Sequence, residues 1–60
     1  MHVVITSKED KKIPTGISAR VEVKADVMVW RFATEEKANN AAKKFMEAGF
    51  EYVQREVKIV

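Results

Sequence analysis

His2 is the only imidazole in the sequence and no cysteine accompanies it. A histidine at a chain terminus frays, so it holds neither a metal nor a proton in a fixed geometry. The hydroxyls of Thr6, Ser7, Thr15 and Ser18 lie in no pattern that supplies a base to activate them. Without thiolates or a second imidazole, a metal site would need carboxylates, and the nine acidic residues are scattered without ligand spacing. Gly16 and Gly49 belong to no phosphate-cradling loop. The sequence therefore reads as a non-enzyme without a cofactor or a metal.

Recognition is the chemistry for which the side chains are present. Arg20, Lys24, Arg31 and Lys58 can form charge-assisted hydrogen bonds to carboxylate or phosphate, and Tyr52 can anchor a protein contact or stack on a base. Whether these groups share a surface depends on the elements that carry them.

His2-Val3-Val4-Ile5-Thr6 is a β-branched run, read as a strand over residues 2–6, and the polar stretch from Ser7 to Lys12 with Ile13-Pro14-Thr15-Gly16 ends it. From Ile17 the pattern alternates: Ile17, Ala19, Val21 and Val23 point one way, and Ser18, Arg20, Glu22 and Lys24 the other. That predicts a half-buried strand. Val27 to Phe32 follows after Ala25-Asp26, close enough for a hairpin. A two-residue loop, or the four-residue loop of the same parity, sets Val23 against Met28, Val21 against Trp30 and Ala19 against Phe32. A three-residue loop would set Glu22 against Trp30 and scramble both faces.

Thr34 before Glu35-Glu36 predicts a helix start, with a side-chain oxygen for the orphan amides and acid at the positive end of the dipole. Ala38, Ala41, Ala42, Phe45 and Ala48 recur at helical spacing, with Met46 on the flank. Gly49 and Phe50 predict a Schellman stop, with Phe50 packed back on Phe45. A last strand is read over residues 51–60, with Val53, Val57 and Ile59 inward and Tyr52, Gln54, Glu56 and Lys58 outward. Arg55 falls on the inward parity, the one local inconsistency.

The resulting expectation is a small single α+β domain over residues 1–60. Its order is β-β-β-α-β, with one helix packed on one face of a mostly antiparallel sheet. The passage from Phe32 through the helix to Phe50 is long enough for a crossover that makes the last strand parallel to the third. Strand order stays open. Nine valines, four isoleucines and no leucine argue against a helical bundle. Trp30, Phe45 and Phe50 take the parity of the core, and a core this small supplies roughly 3–5 kcal/mol. The net charge of +2 is too small to select a class of partner. No apolar run reaches the roughly 18 residues of a membrane span, so the reading is a soluble, cytoplasmic chain with no membrane partner.

The sheet face away from the helix displays Arg20, Glu22, Lys24, Val27, Val29, Arg31, Tyr52, Gln54 and Lys58. Exposed valines and a tyrosine among cations match the composition of a protein interface, with Arg20, Val29, Arg31 and Tyr52 as its centre and Lys24 and Lys58 beside them. The same cations suit nucleic acid, and the face could also be merely solvated. Arg20 opposite Arg31 is unfavourable unless Glu22 on the diagonal or an external anion offsets the pair.

The stretch Trp30-Arg31-Phe32-Ala33-Thr34-Glu35-Glu36, then Ala38, Ala41-Ala42, Phe45 and Ala48-Gly49-Phe50-Glu51-Tyr52-Val53, resembles the β-α-β half of SPOR peptidoglycan-binding domains. The hairpin, helix and Ala48-Gly49-Phe50-Glu51 strand opening are also similar to small phage inhibitors of host RNA polymerase. Neither likeness brings a functional residue with it. Together they imply a mode of action: a small phage or mobile-element regulator that docks a preformed surface on a larger protein. A nucleic-acid binder is the alternative expectation, and a homodimer through the open face or the last strand is the third.

Overall fold

The computed structural model describes residues 2–57, apart from the side chains of Asp10 and Val57. Four strands and one helix follow in the order β1 (His2–Ser7), β2 (Arg20–Val23), β3 (Val27–Phe32), α1 (Glu35–Glu47) and β4 (Val53–Val57). They form one antiparallel sheet in the spatial order β2-β3-β1-β4, with α1 on one face, the α+β arrangement expected. Because β1 is antiparallel to both β3 and β4, β4 runs parallel to β3 with β1 inserted between them.

β1 is the central strand, and Val3 and Val4, which point to opposite faces, are both buried. A strand buried on both sides reads as a continuous apolar run rather than an alternation. His2 is not frayed as expected. It opens β1 opposite Phe32 and Val57, half-buried, and its Nδ1 has no hydrogen-bond partner among the described residues. The hairpin register follows the two-residue parity, with Val23 opposite Met28 and Val21 opposite Trp30.

The helix ends are closed as their residues require. Thr34 Oγ1 accepts from the Lys37 amide at 3.2 Å, and Glu35 and Glu36 occupy the first turn. At the other end the Gly49 amide donates to Met46 O and the Phe50 amide to Phe45 O, the Schellman pair. Gly49 has φ +87°, a left-handed conformation that favours glycine. Phe50 meets Phe45 edge-on at 5.1 Å between ring centroids, and Trp30 tilts against Phe45 at 4.9 Å.

Val21 and Val23 depart from the expected half-burial. They are 43% and 54% exposed, and all of β2 is exposed. The reason is width: a helix about 10–12 Å across covers little more than two strands spaced about 4.8 Å apart. Helix α1 lies over β1 and β4 and touches β3 less, leaving β2 beyond its reach. Ile17 and Ala19, just before β2, do reach the core. Arg55 resolves its own inconsistency. On the helix side of edge strand β4, its Nε donates to Asn39 Oδ1 at 2.7 Å and its Nη1 to the Val3 and Glu56 carbonyls.

Glu9 fastens the loop after β1 to the end of the helix. Its carboxylate accepts from Ser7 Oγ (2.9 Å) and from the Glu51 amide (3.2 Å), and it pairs with Lys12, which also donates to Gly49 O. The Ser7 hydrogen bond, then those from Glu51 and Lys12, hold its carboxyl below the usual carboxylate range. A depressed carboxyl stabilises the fold above its unfolded pKa, and that contribution is lost as pH falls through the lower folded value. Thermal melts should therefore show wild type more stable than Glu9→Gln at neutral pH, with the gap closing in acid. A gap that stays constant across pH would remove Glu9 from the acid response.

Candidate functional site

The register builds the open face as rows across the sheet. Arg20, Arg31, Val3 and Glu56 form one row, and Glu22, Val29, Ile5 and Gln54 the next. In the third, Ser7 faces Val27, while backbone bonds from the Lys24 amide to Val27 O (2.8 Å) and from the Ser7 amide to Tyr52 O (3.1 Å) set Lys24 and Tyr52 at its ends. The middle two strands thus carry an apolar band of Val3, Ile5, Val27 and Val29, and the edge strands carry the polar groups.

This layout corrects two expectations. Val29, read as an exposed anchor, is only 8% exposed. It sits between Glu22 and Ile5 in its row, and the ion pair of Arg31 Nη1 with Glu22 Oε2 (3.3 Å) runs along its side. Tyr52, read as ringed by cations, is 45% exposed but stands at the β4 edge. Three strand spacings, roughly 14 Å, separate it from the β2 edge. Its hydroxyl donates to Gln54 Oε1, and Gln54 Nε2 donates to Glu56 Oε1 at 3.3 Å, so its neighbours are an amide and a carboxylate. Lys58 lies outside the described residues.

The β2 and β3 half is basic. Glu22 pairs with Arg31 and with Lys24 (3.6 Å), as its diagonal position suggested, while Arg20 stands opposite Arg31 with no ion pair among the described residues. Two cations therefore share one carboxylate, and the third has none. Arg20 and Lys24 are exposed and Arg31 is half-buried, a geometry suited to receiving carboxylate or phosphate oxygens.

On the other side of the sheet a groove of about 190 Å³ opens between α1 and the segment before β2. Lys37, Asn40 and Lys44 line its helix wall, Gly16, Ile17 and Ser18 the facing wall, and Phe32 and Ala41 also border it. The helical periodicity placed the two lysines in water, and only the return of residues 16–18 toward the helix makes a wall opposite them. Their spacing of seven residues, two turns on one side of the helix, is the signal the sequence did contain.

Among the described residues no three His, Asp or Glu side chains gather into a metal-binding group, and no helix is long and apolar enough to cross a membrane. Comparison with protein-family models, with curated proteins and with solved structures finds no match to this chain, so the likeness to half of a SPOR domain gains no support from them.

Proposed function

We propose that this protein is a small non-enzymatic binding protein, a regulator of the kind encoded by phages or mobile elements. It acts in the cytoplasm by docking its open sheet face on an acidic surface of a larger protein. The observation that carries this reading is the sharing of Glu22 by Arg31 and Lys24 beside an unshared Arg20. Opposed arginines on neighbouring strands cost stability, and a partner's carboxylates would offset that cost. The sheet fixes the backbone positions of the cations, so docking orders side chains but no backbone.

Amide NMR titrations with poly-glutamate, and with single- and double-stranded oligonucleotides at low and physiological salt, test the reading. Shifts with poly-glutamate should cluster on residues 20–31, and Lys24→Glu with Arg31→Glu together should weaken binding about a hundredfold or more, since each charge-assisted contact is worth roughly 1.5–3 kcal/mol and each 1.4 kcal/mol is tenfold. Preferential oligonucleotide binding that falls steeply with salt would replace the protein partner with nucleic acid. Silence toward both polyanions would remove the basic face as a docking site.

A further inference from the structure

From the free edge of the sheet we infer that β2 pairs with β2 of a second copy, antiparallel and centred on Val21, joining two sheets into one of eight strands. The inference starts from the backbone edge and the valines of the opposite face; its register shares Arg20 and Glu22 with the docking reading, and the closing experiment separates the two.

β2 has β3 on one side and, among the described residues, no strand on the other. The Lys24 amide donates to Val27 O, so Lys24 and Val27 are a hydrogen-bonded pair of the ladder. Such pairs alternate with non-bonded ones, which makes Val23–Met28 and Val21–Trp30 the non-bonded pairs. The amides and carbonyls of Val21 and Val23 therefore point out of the sheet edge. The strand has no proline and no bulge to protect that edge. On the helix side, the Val21 and Val23 side chains stand uncovered beside it.

Charge selects the register. With Val21 opposite its own copy, Arg20 of each chain faces Glu22 of the other twice over, and Val23 faces Ala19. Ions then meet on the open face and apolar groups on the helix face. Centred on Glu22 instead, the pairing opposes two glutamates directly and sets Arg20 against Lys24, both like-charged and destabilising. A one-residue slip sends every side chain of one strand to the wrong face. Centring on Val23 would need Lys24 to Asp26 as strand, and those residues form the turn into β3. The register centred on Val21 gives the otherwise unshared Arg20 a carboxylate, and it brings the two basic stripes side by side at the middle of a continuous face.

Sedimentation of the wild-type chain should show a mass that rises with concentration from 6.9 kDa toward twice that value. Arg20→Glu and Glu22→Arg should each remain monomeric alone and form a one-to-one dimer when mixed, because an acidic edge then meets a basic one. The chain has no cysteine, so single substitutions report register directly. Val21→Cys should cross-link to its copy under mild oxidation, its Cα atoms lying about 5.5 Å apart in such a pair. Val23→Cys should not, the copies being offset by four residues, about 13 Å. Amide spectra confirm that each variant is folded. Lys24→Glu, which impairs docking, faces Ser18 of the second copy and should leave the dimer unchanged, separating the two proposals. A mass fixed at 6.9 kDa at every concentration, or faster cross-linking through Val23→Cys than through Val21→Cys, would overturn the inference.

Discussion

Phe45→Ala is expected to leave about half or less of the protein folded at 25 °C. Phe45 is fully buried and is the largest of the side chains that are. It joins the sheet to the helix stop, with Trp30 on one side and Phe50 on the other. Truncating a buried phenylalanine to alanine costs about 3–5 kcal/mol, through lost transfer energy and the cavity left behind. A single core in a chain of this length supplies roughly the same amount in total. Relaxation into the cavity is limited because the other buried residues of α1, Ala38, Ala41 and Ala42, are too short to fill it. Loss of amide dispersion and of helical circular dichroism at 25 °C would bear this out, with Phe45→Leu retaining most of both. A cooperative melt of Phe45→Ala near the wild-type midpoint would show that the aromatic cluster is not the main source of stability.

Thr6→Val is expected to destabilise the fold by about 1–3 kcal/mol although it preserves shape almost completely. Thr6 is fully buried, on the helix face of β1, and its Oγ1 accepts from Trp30 Nε1 at 2.9 Å. Valine removes the acceptor and leaves the indole N–H buried without a partner, which is where that cost arises. Trp30→Phe alone removes the donor and some packing. In the double variant neither polar group remains, so its destabilisation should fall short of the sum of the single changes by about 1 kcal/mol. Urea titrations followed by circular dichroism measure all four corners of the cycle. Strict additivity would mean that the Trp30–Thr6 bond contributes nothing of its own, and that Thr6 occupies its place by size.

Part of the candidate site was legible in the sequence and part was not. The pairing of Arg20 with Arg31 and the mediation of Glu22 were legible, because a hairpin with a short loop has few registers and hydrophobic parity leaves one. The burial of Val29 and the isolation of Tyr52 were not. Both depend on which strands lie between and beside them, and the chain between Phe32 and Val53 does not record that β1 will be inserted. One sign of it was present in the first strand, where Val3 and Val4 are apolar on both parities.

The elements, the hairpin register, the Thr34 and Gly49 caps and the Trp30–Phe45–Phe50 core are written locally along the chain. Each of these is decided by contacts within a few residues or by the period of apolar groups along one segment. Tertiary structure alone decided the strand order, the exposure of Val21 and Val23, the clasp of Arg55 on Asn39 and the groove beside Lys37 and Lys44. The physical reason is that one helix covers about two strands of a four-stranded sheet, and which two it covers is fixed by how distant segments pack, with no local preference to announce it.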